Sequence, residues 1–278
     1  MSQVLVNIGC GATWHSDWIN LDLCPTDPQV TEWNASKGLP FGNELVDACY
    51  ASHVLEHVTP HQARALLGEC YRVLRYGGIV RLAVPDLEGI VREYLRTLER
   101  AEAGDRAAAA QHQWMTIELL DQLVRDRSGG EMERYLRTQA HNNSEYVIGR
   151  IGPGATTYLE PEGHSSTSSA PSRRGSISII SKIARTMRSL VPEMKGHLVN
   201  GDREALRIGR FRLSGECHQW MYDRVSLKQL LEETGFSDSR VCSAFESQIS
   251  GFAMFGLDVV NGAVRKPDSL FMEAVKES

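Results

Sequence analysis

No stretch of this sequence approaches the ~20 consecutive apolar residues of a membrane span, and no leader-like segment stands ahead of the first strand-like run. A cytoplasmic protein without a transmembrane helix is therefore expected. The six cysteines (Cys10, Cys24, Cys49, Cys70, Cys217, Cys242) show no C-x-x-C spacing, the usual mark of a zinc or dithiol site. Most fall in or beside apolar runs, so reduced and mostly buried thiols are expected. A basic excess is missing as well. Thirty Lys and Arg stand against 35 Asp and Glu, for a net charge of −5, and nucleic acid is not an expected partner. There is no internal repeat. What remains is ordinary globular composition, 42% hydrophobic and 23% charged in 278 residues. That is enough for one large α/β domain with insertions.

The most informative stretch is 4–22, VLVNIGCGATWHSDWINLD. Two short apolar runs, ending in Gly9-Cys10-Gly11 and in Asp22, read as buried parallel strands. Together they describe a nucleoside pocket at the carboxyl edge of an open sheet. The glycines let a ligand approach the backbone, and Asp22 can accept hydrogen bonds from two ribose hydroxyls. A dinucleotide fingerprint needs a third glycine and an acid ~20 residues further on. Here Trp14 occupies the third glycine position, Asp22 comes too early, and residues 12–17 are too few for the crossover helix whose N-terminus would hold a pyrophosphate. The pocket suits a nucleoside without a phosphate bridge, and S-adenosylmethionine is the common cofactor of that kind. The bland alternative is a tight strand-to-strand turn that binds nothing.

Along the chain, Gln29–Trp33 is a short extended segment, 38–43 a turn and Leu45–Ser52 a buried strand. Thr59-Pro60-x-Gln62 opens a helix with a capping box. Ala63, Leu66, Leu67, Cys70, Val73 and Leu74 form its apolar face, and Gly77-Gly78 should stop it. Ile79–Val84 is the next strand. Helical spacing then runs over Leu87–Leu98, 106–127 and 131–139. Periodicity is lost over 149–154 and in the Ser-rich loop 161–176. An amphipathic basic helix is expected at 177–190. Packing on the domain is the favoured role, over peripheral membrane contact or docking on a partner. A helical patch follows at 202–208. Ser226–Gln229 reads as a second capping box, 240–245 as a strand and Ser269–Val275 as the last strand. The domain organisation is thus 1–86 (the cofactor-binding half), 87–215 (a helical insertion or lid) and 216–278 (completion of the sheet).

Four motifs in order resemble the class I S-adenosylmethionine-dependent methyltransferases, in particular methyltransferase type 11. They are Val6–Gly11, Leu21-Asp22, Leu39-Pro40-Phe41 with Val46-Asp47-Ala48 and His53-Val54-Leu55-Glu56-His57, and Arg72–Gly78 with Tyr76 where the family has proline. The ends 218–224 and 265–274 are similar to a bacterial branch associated with surface-polysaccharide and glycolipid synthesis. The resemblance implies a Rossmann-like, mostly parallel seven-stranded sheet with an antiparallel last strand, and a large helical insertion after the fifth strand. It places Gly9, Cys10 and Gly11 under the methionine end of S-adenosylmethionine and Asp22, followed by Leu23, at the ribose. Asn34 and Ala35 would lie near adenine, with Ala51, Ser52 and His53 beside the sulfonium.

The expected activity is methyl transfer to a hydroxyl of a sugar, polysaccharide or glycolipid by in-line displacement, with a histidine as general base. His53 is preferred as base and His218 second, with His57 and Glu56 as further candidates. His15, Asp86 and Tyr222 complete the set near the edge. His53-x-x-Glu56-His57 also spells a zinc-peptidase motif. That motif needs a helix to carry it, and here it follows a strand and meets Thr59-Pro60. A divalent ion at this run is possible but not favoured. The oligomeric state is left open. The competing readings are methylation of another small molecule, a nicotinamide-dependent oxidoreductase and a non-catalytic cofactor-binding module.

Overall fold

The computed structural model describes residues 3–159 and 200–277. The loop expected at 161–176 and the helix expected at 177–190 lie outside the described residues. The chain forms two compact units, Met1–Gly89 with Gln219–Ser278, and Ile90–His218. The helices among the described residues are α1 (Pro60–Val73), α2 (Leu87–Glu102), α3 (Arg106–Val124), α4 (Gly130–Thr138), α5 (Ser144–Ile151), α6 (Thr156–Leu159), α7 (Asn200–Arg212) and α8 (Arg224–Glu233).

The first unit is built on a sheet. Its strands are β1 (Leu5–Ile8), β2 (Ile19–Asp22), β3 (Val30–Glu32), β4 (Val46–Ser52), β5 (Leu74–Pro85), β6 (Ser237–Cys242) and β9 (Ser269–Val275), with a separate hairpin of β7 (Val259–Val260) and β8 (Ala263–Val264). The seven-stranded order is β3-β2-β1-β4-β5-β9-β6. Only β9 is reversed, running antiparallel to both β5 and β6. This is the mostly parallel, Rossmann-like sheet expected. The strand order changes direction between β1 and β4, and ligands of such sheets bind beyond the carboxyl ends at that point.

One sheet face carries Val6, Ile8, Cys49, Leu82, Val84 and Met272, packed against Leu66 and Leu67 of α1 and Leu227 and Leu231 of α8. α1 starts where expected, with Thr59 and Gln62 exchanging backbone hydrogen bonds and Pro60 in the first turn. It ends at Val73, four residues before Gly77. Leu74 is fully buried and already pairs with Val46 as a strand residue, while the Gly77 amide donates to Lys276 O of the β9 end at 2.8 Å. Burying Leu74 in the ladder overrides helix extension. The second capping box also shifts. Asp223, not Ser226, is the N-cap, because one Asp223 oxygen accepts from both Val225 N (2.9 Å) and Ser226 N (2.8 Å). β6 ends at Cys242, three residues short of the expected Phe245, and the chain then turns.

The opposite face has a different cover. Trp18, Ile249, Phe252 and Leu257 pack on Leu5, Ala48 and Tyr50, and the segments that carry them are loops and one 3-10 turn (Phe252–Phe255). Loops expose backbone carbonyls that a helix would satisfy internally. Buried polar side chains from the sheet fill that need. Asn7 Nδ2 donates to Thr13 O (3.0 Å), and Asn20 Nδ2 donates to His15 O (2.9 Å) and Trp18 O (2.8 Å). These bonds hold the helix-free crossover from β1 to β2. Arg81, fully buried on β5, donates to Glu246 O (2.8 Å) and Ser243 O (3.1 Å).

The second unit is helical. Asp105 caps α3 by accepting from Ala107 N (3.0 Å) and Ala108 N (3.1 Å). Trp114, Met115, Tyr135, Leu136 and Val147 are buried. Residues 149–154, expected to be aperiodic, begin inside α5 and continue into a 3-10 turn, Pro153–Ala155. α5 is amphipathic with Val147 inward, so its eight residues were too short to stand out beside two glycines. All six cysteines are unpaired as thiols.

Candidate functional site

The turn after β1 is built by Asp22. Its two carboxylate oxygens accept from Gly11 N and Cys24 N, each at 2.8 Å. Gly9 and Gly11 both take the left-handed conformation, with φ of +63° and +54°. A Cβ on Gly9 would meet Val54 Cγ2 at 2.6 Å, whereas one on Gly11 would meet nothing within 4 Å. There is open space over Gly11 and close packing under Gly9. Each Asp22 oxygen keeps a lone pair after its backbone bond, which leaves acceptors for two ribose hydroxyls. The residues present fit an adenosyl group. Cys10 is committed to the turn itself. Its N–H donates to Leu21 O (3.1 Å), its carbonyl accepts from Thr13 N (2.9 Å), and burial pushes its thiol up to about 12. Leu23, next to Asp22, is exposed. Asn34 caps a 3-10 turn that starts at Ala35, its Oδ1 accepting from Ser36 N at 3.0 Å.

The two glycines should therefore respond differently. Alanine in the left-handed region costs about 1–2 kcal/mol at either position. Gly9→Ala adds the Val54 clash and is expected to lower the melting temperature more than Gly11→Ala. Gly11→Ala should instead weaken nucleoside binding, because its methyl enters the open space. Thermal melts of both variants, with Val54→Ala in the Gly9→Ala background as a coupling test, check this.

Beyond β4, Ala51 is buried and Ser52 half-buried. His53 is a non-glycine residue at φ +55°, a conformation uncommon outside glycine. Its N–H donates to Ala83 O at 2.8 Å. Both ring nitrogens are engaged: Nδ1 lies 3.1 Å from Glu56 Oε1 and Nε2 2.8 Å from Ser269 Oγ. Glu56 is fully buried, and His57 Nε2 lies 3.9 Å from the same oxygen. Leu55–His57 form one 3-10 turn, not the helix that carries a zinc-peptidase motif. Burial, and then the Lys266 cation, push His53 down to about 4 against the opposing pull of Glu56. His53 is thus neutral at pH 7 and able to accept a proton.

This has a consequence for stability. The unfolded histidine titrates near 6.5. Between about pH 6.5 and 4 the unfolded chain binds a proton that the folded one does not, so stability falls as pH drops through that window. The expected loss is at most about 3 kcal/mol. Urea denaturation at pH 7, 6, 5 and 4 should show it in the wild type and show a shallower pH dependence in His53→Gln.

The other sequence candidates have local partners of their own. His218 is buried in the second unit, its amide donating to Gln122 O at 2.9 Å. His15 Nδ1 accepts from Asp17 N at 3.1 Å, and its ring packs edge-on against Phe255; it serves the crossover loop. Asp86 sits over the first turn of α2, where a carboxylate favours the helix N-terminus. The Tyr222 hydroxyl is buried with no hydrogen-bond partner among the described residues, and burial together with Glu56 pushes it up to about 12. Sequence reasoning missed Ser269 and Lys266. The signal for both was the reversed strand: β9 begins, rather than ends, at the edge where β1 and β4 stop.

Residues 6–82 match the family described as methyltransferase domain. The match supports a class I S-adenosylmethionine-dependent methyltransferase, with S-adenosylmethionine as cofactor. No curated protein matches the chain. Among solved structures, the chain is similar to a SAM-dependent methyltransferase from Archaeoglobus fulgidus (13% identity, 99% of this chain and 86% of that one, TM-score 0.38). It is also similar to a SAM-dependent methyltransferase, possible histamine N-methyltransferase, from Thermotoga maritima (10% identity, 99% and 82%, TM-score 0.36). A third likeness is to the complex between the Haloferax volcanii Trm112 methyltransferase activator and the putative methyltransferase (12% identity, 100% and 84%, TM-score 0.37). Likenesses of this size carry no functional argument.

Proposed function

We propose that the chain transfers a methyl group from S-adenosylmethionine to a hydroxyl of a sugar, polysaccharide or glycolipid. The observation that carries this reading is the turn at the switch point: Asp22 bridges Gly11 N and Cys24 N under open space. Gly9–Gly11 would run beneath the methionine portion, Asp22 with Leu23 beside it would hold the ribose, Asn34 and Ala35 would border adenine, and Ala51 and Ser52 the sulfonium. When bound, the cofactor supplies an electrophilic methyl group. The chain must then hold the acceptor hydroxyl in line and take its proton. His53 is the base in this reading because it is neutral at pH 7 and oriented by a carboxylate. A saccharide acceptor draws support from Trp220, which is exposed beside Gln219, whose amide donates to Glu56 O at 2.6 Å. An amphipathic ring at that edge suits a hydroxyl-rich ligand.

Calorimetry with S-adenosylhomocysteine tests the reading, with binding expected in the micromolar range; no heat at several hundred micromolar ends it. An NADH fluorescence titration is expected to show no binding. Transfer of radiolabelled methyl to a panel of mono- and oligosaccharides then tests the acceptor, and label appearing only on amine-bearing acceptors would replace the hydroxyl assignment.

A further inference from the structure

Ser269 is the first residue of the one reversed strand, paired with Pro85 at the carboxyl edge of the sheet. Its hydroxyl lies 2.8 Å from His53 Nε2, and His53 Nδ1 lies 3.1 Å from Glu56 Oε1. A carboxylate only accepts, so Nδ1 carries the ring proton, Nε2 carries the lone pair and the serine hydroxyl is the donor. Carboxylate, imidazole and hydroxyl are thus successive neighbours, at 3.1 Å and 2.8 Å. Exposure is graded along this series: Glu56 is fully buried, whereas Ser269 is half-buried. The left-handed backbone at His53 and its bond to Ala83 O set the ring between carboxylate and hydroxyl. Such strain recurs where a side chain is positioned for function.

We propose that Ser269 is a proton relay between the acceptor hydroxyl and His53. The proposal rests on the methyltransferase reading above. In the step, the acceptor proton passes to Ser269 Oγ as the serine's own proton passes to Nε2. Serine ends as it began, and His53 becomes an imidazolium facing Glu56. The acceptor oxygen gains the methyl group, and the electron pair of the broken carbon–sulfur bond stays on sulfur. Glu56 is a positioning residue: it fixes the tautomer and meets the positive charge, as the buried carboxylate does in a hydrolase triad. The charged and titratable groups facing the ring are Glu56, His57 and Lys266.

The test uses the full chain with 15N-labelled histidine, comparing wild type, Ser269→Ala and Ser269→Thr, with His53→Gln to assign the signal. The wild type is expected to show His53 protonated at Nδ1 and bare at Nε2. Ser269→Ala removes the donor to the neutral ring, so the Nε2 resonance should move and the ring should titrate at higher pH. Ser269→Thr should restore both. Once an acceptor is found, Ser269→Ala should lower turnover on the order of 100-fold or more, with S-adenosylhomocysteine affinity unchanged. A wild-type ring protonated at Nε2, or Ser269→Ala spectra that coincide with wild type, overturns the relay. Full turnover by Ser269→Ala in a protein that binds S-adenosylhomocysteine overturns the relay alone. A wild type with the expected ring signals but no such binding overturns the methyltransferase reading instead.

Discussion

Asp22→Ala is expected to bind S-adenosylhomocysteine at least 100-fold more weakly than the wild type. The carboxylate has two duties at once. Its oxygens hold Gly11 N and Cys24 N at 2.8 Å each, so its loss leaves two donors of the turn without their acceptor before any ligand arrives. Hydrogen bonds to a charged group contribute about 1.5–3 kcal/mol each. Loosening the turn and removing the ribose contacts together correspond to roughly 3–6 kcal/mol, or two to four decades in Kd. Asp22→Asn separates the two duties. An amide keeps one acceptor oxygen but sets its own NH2 against one of the backbone donors, so it should bind more weakly than the wild type and fold less firmly than a simple isostere. Calorimetry with S-adenosylhomocysteine gives the affinities, and thermal melts without ligand give the cost to the turn. Wild-type affinity in Asp22→Ala would remove the ribose from this carboxylate and undo the placement of the cofactor.

The glycine turn, the acid that ends β2 and the missing crossover helix were legible because each is local: a few residues state the geometry. The start of α1 was legible for the same reason, since Thr59, Pro60 and Gln62 act on one another. The end of α1 was not, because the pairing of Leu74 with Val46 is a tertiary contact that no helix-stop signal reports. The relay was hidden more deeply. His53 and Ser269 are 216 positions apart, and a single serine at the start of an apolar strand looks like any strand boundary. The face without helices left a clearer trace. Asn7 and Asn20 stand as lone polar residues in apolar runs and are paired in register across β1 and β2. Arg81 and Glu273 do the same across β5 and β9. A lone polar side chain inside a buried strand marks the place where the covering chain is a loop.

Arg81 is the residue whose loss should cost the fold most. Arg81→Met is expected to destabilise the protein by about 3–5 kcal/mol, with a fall in melting temperature of roughly 10 °C. Arg81 bonds Asp258 Oδ2 at 2.8 Å and Glu273 Oε1 at 2.7 Å, both carboxylates being buried. Asp258 also accepts from the Tyr50 hydroxyl. The guanidinium lies 4.5 Å from the Phe252 ring centroid. Methionine fills much of the volume but leaves Asp258 without its guanidinium partner, Glu273 with only the longer 3.6 Å pairing to Arg240, and the carbonyls of Ser243 and Glu246 without a donor. Burial already pushes Asp258 upward, with Arg81 as the main opposing influence, so in Arg81→Met Asp258 should take up a proton more readily and the deficit should shrink as pH falls. Because the group is buried, added salt should recover little. Replacing the whole set, as Arg81→Met with Asp258→Asn and Glu273→Gln, should regain part of the loss by removing the buried carboxylate charges. Amide exchange over 243–258 separates this account from general destabilisation: those residues should exchange faster in Arg81→Met under conditions where α1 and α8 remain protected. A loss below about 1 kcal/mol, the scale of an exposed ion pair, would mean that the loop is held by its apolar side chains alone.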